Sequence, residues 1–158
     1  MIEIFISYEV RLQARSDAQA RQATVSKNIL IFSDGTGQYG GLKPDQRLSN
    51  IYKLYSTARP SIDNCIDPAD QIAFYDPGLG TGEDGGGWGQ RLSRIFGLAF
   101  GTGISDNIAD CYEAILKHYE PGDRIYLFGF SRGAYTARCV ANVLNLCGVP
   151  QRLESGPI

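Results

Sequence analysis

The chain has 158 residues and a mass of 17.3 kDa, the size of one domain, and its 43% hydrophobic, 20% charged composition is that of a chain that folds around a core. Fifteen basic against seventeen acidic residues leave a net charge of -2, which gives no general attraction to nucleic acid. The longest apolar runs, Asn28 to Phe32 and Ile125 to Phe130, fall far short of the roughly 20 residues that a membrane-spanning helix needs.

In chain order, the start MIEIFISYEVRLQAR has an early acidic Glu3, no basic leader and no apolar stretch of signal-peptide length. Residues 8–26 are polar and alanine-rich without a broad apolar stripe, so residues 1–26 are expected to form an extension preceding the fold. Asn28 to Ser33 (NILIFS) is apolar on both faces of a strand, as parallel strands of α/β folds are, and it ends at Asp34-Gly35-Thr36-Gly37. Ser49 or Asn50 can cap a helix that runs to Ala58 and stops before Pro60. A second strand spans Gln71 to Tyr75 and closes at Asp76-Pro77-Gly78.

The clearest amphipathic helix runs from Ile104 to Tyr119, with Ile104, Ile108, Cys111, Tyr112, Ile115, Leu116 and Tyr119 in one stripe. Pro121-Gly122-Asp123 turns the chain into a third strand, Arg124 to Gly129, and a mostly apolar helix follows from Arg132 to Leu146. Strands alternating with helices predict a mainly parallel α/β sheet. The four cysteines form no C-x-x-C pair, which favours buried thiols in a reducing compartment over disulfides or a zinc site. No metal and no cofactor are expected.

Glycine is the compositional anomaly, at 19 residues or about 12% against a usual figure of about 7%. Two of the glycines flank Ser131 in Gly129-Phe130-Ser131-Arg132-Gly133, a G-x-S-x-G run between a predicted strand and a predicted helix. That context is what a nucleophile elbow requires. Small neighbours let a strained turn form, so that the serine Oγ projects from the carboxyl edge of the sheet. The Arg132 backbone N–H and the helix N-terminus then face the oxyanion that develops on attack. The alternative is that Ser131 only caps the helix. A second oxyanion donor has to come from a loop on the same edge. Gly35 or Thr36 can present that N–H, while Asp34 either orients the loop or pairs with Arg132.

Four ordered blocks of sequence carry a wider resemblance: Phe32-Ser-Asp-Gly-Thr-Gly, Tyr75-Asp-Pro-Gly-Leu-Gly-Thr, Phe100-Gly-Thr-Gly-Ile with Asn107-Ile108, and the run from Tyr119 through Gly-Phe-Ser-Arg-Gly to Arg138. Over residues 27–150 the chain resembles the catalytic domain of type VI secretion phospholipase effectors, a domain of bacteria and fungi previously grouped only as an α/β-hydrolase domain. Gly37 and Gln38 depart from the Trp and Asn that many members carry after D-G-T. The resemblance implies an α/β-hydrolase-type sheet and an esterase or phospholipase with a Ser-Asp-His triad in which Ser131 falls on the nucleophile. It also implies a lipid or other ester substrate, contact with a membrane surface, and a secretion-apparatus or immunity protein as partner. The expected location is the cytoplasm as synthesised, with export by a route independent of a signal peptide left open.

In this fold the acid and the histidine follow the nucleophile, yet no His or Asp follows Ser131, and Glu154 is the sole carboxylate side chain beyond it. The single histidine, His118, ends the helix before the third strand, about 17 to 20 Å from the elbow by strand length. The expectation is therefore the N-terminal half of a hydrolase domain over residues 27–158, with negligible turnover because a serine without a positioned base loses several orders of magnitude in rate.

The runner-up is a catalytically dead hydrolase-like module that binds a partner or lipid in an aromatic-lined pocket; Phe74, Tyr75, Trp88, Phe96 and Phe100 lie in or beside the glycine loops, where aromatics more often serve core or loop packing than ligand binding. Two further readings fail on residues. A haloacid-dehalogenase-type phosphotransferase needs an aspartate where Phe32 stands. The Gly80-x-Gly82-x-x-Gly85 run is not followed by an apolar helix and reads as an active-site rim loop instead of a nucleotide site.

Overall fold

The computed structural model describes residues 5–10, 26–38, 40, 47–78 and 103–150. Strand β1 (Phe5–Val10) is followed by β2 (Asn28–Ser33), helix α1 (Asn50–Ala58), β3 (Gln71–Asp76), α2 (Ile104–His118), β4 (Arg124–Phe130) and α3 (Arg132–Cys147). The strands form one sheet in the order β1-β4-β2-β3. β2 is parallel to both β3 and β4, so the expected parallel α/β arrangement is present.

The outer strand β1 runs antiparallel to β4, pairing Phe5 with Phe130 and Val10 with Ile125. This corrects the expectation that everything before Lys27 precedes the fold. A strand at the edge of a sheet gains its stability from the ladder with its neighbour, a partner that local patterning does not reveal.

The two pleat faces of the sheet bury separate clusters. Ile29, Ile31, Ile125 and Leu127 point toward α2 and α3, where Cys111, Ile115, Ala137, Val140 and Leu144 meet them. Leu30 and Phe32 point the other way and pack with Ile51 of α1 and with Tyr55, Tyr75 and Phe128. Each large apolar side chain fully withdrawn from water contributes about 1.5–3 kcal/mol. Phe32 and Phe128 are register partners on adjacent strands, and their rings stack with centroids 4.8 Å apart. At the amino edge, Asp123 ties the starts of β2 and β4 together: it accepts from Lys27 N–H (3.0 Å) and Glu120 N–H (2.9 Å) and pairs with Lys27 Nζ (2.6 Å).

From β2 the chain passes by way of α1 to β3 on one side, and from β3 it returns by way of α2 to β4 on the other side of β2. The strand order reverses between β2 and β4. In open α/β sheets, the crevice outside the carboxyl ends at such a point is where ligands bind.

Candidate functional site

Ser131 lies in that crevice, between the end of β4 and the start of α3. Its backbone angles are φ 55° and ψ -119°, a region that L-residues avoid and that costs of order 1–3 kcal/mol. The side chain is exposed and makes no capping bond to α3, which removes the reading of Ser131 as a simple helix cap. The Ser131 carbonyl accepts from Ala134 N–H at 3.1 Å, so the helix starts directly after the strained residue.

Both flanking glycines are required by space. A Cβ on Gly129 would run into the Gly133 carbonyl and lie 2.6 Å from Ala134 Cα. A Cβ on Gly133 would run into the Ser33 carbonyl and lie 2.7 Å from the Asp34 oxygen. The turn is thus wedged between its own helix and the end of β2.

The loop after β2 closes the other wall. A Cβ on Gly35 would stand 3.4 Å from Ser131 Cβ and 2.7 Å from Phe130 Cδ1. Gly78, just past β3, packs against the Gly35 carbonyl so closely that a Cβ there would overlap it. The ends of three strands, distant in the chain, therefore meet here, with the loop after β2 against Ser131 and Gly78 against that loop.

Asp34 holds this loop. Its Oδ1 accepts from Gly35 N–H at 2.7 Å, and its Oδ2 accepts from the Tyr75 hydroxyl at 2.8 Å and from the Ser49 hydroxyl. Ser49 caps α1, accepting from Tyr52 N–H at 3.0 Å, so Asp34 joins the loop to a helix start. Burial, and then the bond to Asp34, push the Tyr75 phenol above its ordinary range and keep it a donor. Of the two loop N–H groups expected to face an oxyanion, Gly35's is thus engaged by Asp34. The charge of Asp76 acts on the Arg132 guanidinium.

In the sequence, Asp76 stands only as the start of the turn Asp76-Pro77-Gly78. It is 5% exposed at the carboxyl end of β3, where its Oδ2 accepts from Ser33 Oγ at 2.6 Å and both its oxygens accept from Asn107 Nδ2 at 2.9 Å. Burial pushes its carboxyl above the usual range, against the opposing pull of Ser33 and Asn107. The sequence signal was an aspartate directly after each of two apolar strands on the same edge. The buried face of α2 accordingly runs through Asn107, Cys111, Ala114 and Ile115, with a polar residue where an all-apolar stripe was expected.

His118 stands exposed at the end of α2, at the amino edge, and the length of β4, about 20 Å, separates that edge from Ser131. It lines a cavity of about 410 Å³ with Lys117, Tyr119, Glu120, Val149 and Pro150, away from the crevice. Phe74 packs toward α2 and α3 while Tyr75 packs toward α1, so the two do not line one pocket. Trp88, Phe96, Phe100 and the Gly80 to Gly85 run lie outside the described residues.

Residues 27–156 match the family model of the T6SS phospholipase effector Tle1-like catalytic domain. The chain belongs to this family. The Tle1-like domain is also 34% identical over 142 residues to Uncharacterized protein YEL023C of Saccharomyces cerevisiae, a match that covers 85% of this chain and 20% of the yeast protein. It therefore spans about one fifth of the length of that curated relative. No solved structure matches it. Among the described residues of this Tle1-like domain, no helix is long and apolar enough to cross a membrane.

Proposed function

We propose that the chain carries the nucleophile half of a serine ester hydrolase of α/β-hydrolase type, phospholipase- or lipase-like, with Ser131 as the nucleophile. One observation carries the reading: an exposed serine at φ 55°, ψ -119° between strand and helix, with glycines on both sides where any Cβ would press into backbone. Membership in a phospholipase effector family supports a lipid or other ester as substrate. A membrane surface as the place of work, and a secretion-apparatus or immunity protein as partner, belong to the same proposal, as does export without a signal peptide.

In the proposed reaction, Ser131 Oγ attacks the ester carbonyl carbon, and the carbonyl electron pair moves onto oxygen. The backbone N–H groups of Arg132 and Thr36 hold that oxyanion, with the start of α3 adding its dipole. Asp34 keeps the Thr36 loop in place through Gly35, Ser49 and Tyr75. The Oγ proton needs a base and the leaving alkoxide an acid. His118, the chain's one histidine, is a strand length away, so this chain's own residues are expected to give negligible turnover.

That distance also favours the second reading, a hydrolase-like module that binds a lipid or partner without converting it. The test is fluorophosphonate labelling of the protein as its source cells make it, with its intact mass read in the same experiment. A phosphonyl adduct on the tryptic peptide 125–132, lost in Ser131→Ala, supports the hydrolase. No adduct on that peptide overturns it in favour of the binding module.

A further inference from the structure

The reaction above leaves one buried charge beside the site unused. Asp76, Ser33 and Asn107 are 5%, 1% and 6% exposed, and they bring together the ends of β2 and β3 and the first turn of α2. A carboxylate withdrawn from water is costly, and an apolar residue fills such a position more cheaply unless the charge or its bonds are needed. Besides its side-chain bonds, Asp76 accepts Asp34 N–H on its backbone carbonyl at 2.9 Å, in the strand ladder that leads into the Gly35 loop. Its shortest side-chain link runs to Ser33, and the Ser33 carbonyl is the surface against which Gly133 sits without room for a Cβ.

We infer that Asp76 is a positioning residue for the Ser131 turn, acting through Ser33: the carboxylate fixes the end of β2, and the end of β2 fixes Gly133 and with it the strained serine. The role rests on the reading of Ser131 as the reactive group. Asp76 touches neither substrate nor Ser131. It sets the shape of the wall on which the turn leans.

The mechanism has a pH signature. Ionised, Asp76 accepts from Ser33 Oγ and twice from Asn107 Nδ2. Protonated, its carboxyl becomes a donor at one oxygen and gives up acceptor capacity there, so the hold on Ser33 changes. The other groups that face it are the Arg132 guanidinium of α3 and, on α2, Asp110 and Cys111, whose thiol burial pushes up. Cys111 Sγ stands 3.9 Å from Asp76 Oδ2.

The test is an NMR pH titration of the whole chain that follows the Asp76 carboxyl carbon directly, together with the backbone amides of Ser131 and Gly133. In the native chain those amides are expected to move with the Asp76 midpoint. In Ser33→Ala, Asp76 still titrates but the response of the turn is lost, whereas a purely through-space field would leave it intact. Asp110→Asn, which removes the neighbouring carboxylate, is expected to retain the response. Amides that stay still in the native chain, or that respond undiminished in Ser33→Ala, overturn the proposal. Should Ser33→Ala not fold, Ser33→Cys, which keeps the size of the side chain but gives up the strong hydroxyl donor, is titrated in its place and read by the same two outcomes. Failure of fluorophosphonate labelling at Ser131 would sink the catalytic reading and leave this mechanical coupling standing, so the two failures are separable.

Discussion

Gly35 and Ser131 come so close at the carboxyl edge of the sheet that a single added carbon on Gly35 would sit in van der Waals contact with Ser131 Cβ, at 3.4 Å, while pressing on the Phe130 ring at 2.7 Å. Gly35→Ala forces that ring aside at a cost of about 1–3 kcal/mol, as overpacking does. Urea unfolding measures the loss. Because the displaced ring belongs to the residue before Ser131, labelling at Ser131 is expected to slow as well.

Gly133→Ala is expected to be worse. Its methyl meets the Ser33 and Asp34 carbonyls, which are backbone and cannot rotate away. A loss of about 3 kcal/mol or more is expected, since the turn or the end of β2 must shift bodily. Equal unfolding midpoints for Gly133→Ala and the native chain would show that the turn does not lean on β2.

Ser131 stores strain that a glycine would release. At φ 55°, Ser131→Gly is expected to stabilise the fold by about 1 kcal/mol, whereas Ser131→Ala, which keeps a Cβ, gains nothing from this source. Both variants lose covalent labelling. A glycine variant less stable than the alanine one would mean that the turn is not strained in solution.

Tyr75→Phe removes one of the donors to the buried Asp34 carboxylate and is expected to cost about 1–2 kcal/mol. The loop that carries Thr36 loosens with it. Faster amide exchange in residues 35–38 of the variant checks the link, and unchanged exchange there would separate Tyr75 from the loop.

Asp76 gives stability a defined pH dependence. Its folded carboxyl titrates above the unfolded value, so between the two the native chain holds more protons than the unfolded one. This contribution is complete below the unfolded value and is lost as pH rises through the folded one. Asp76→Asn removes this slope. Comparing urea unfolding of the two proteins from the ordinary carboxylate range up to neutrality isolates the effect. A constant difference between them would refute the raised titration.

Much of the fold was legible because local patterns are strong here. NILIFS is apolar on both pleat faces, and both faces are buried, by α2 and α3 on one side and α1 on the other. Ser49 caps α1 as a serine before an apolar-periodic run does. The strand FISYEV is not legible in this way, because an edge strand is decided by its ladder with β4, from the other end of the chain. The pairing of Asp76 with Asn107 is not legible in the sequence, since an aspartate before Pro-Gly reads as a turn until α2 is seen to lie over it.

The sequence by itself determined the kind and order of the elements, and it determined that the backbone around Ser131 can be squeezed, because glycines stand on both sides of it. Those are local properties, set by side-chain period and by the absence of a Cβ. Only the tertiary structure decided that β2 lies between β3 and β4, and from that order follow the crevice, the approach of Gly35 to Ser131 and the Asp76 cluster beneath it. Strand order depends on which face each connecting helix buries, and that balance is struck between apolar surfaces far apart in the chain, where no short pattern records it.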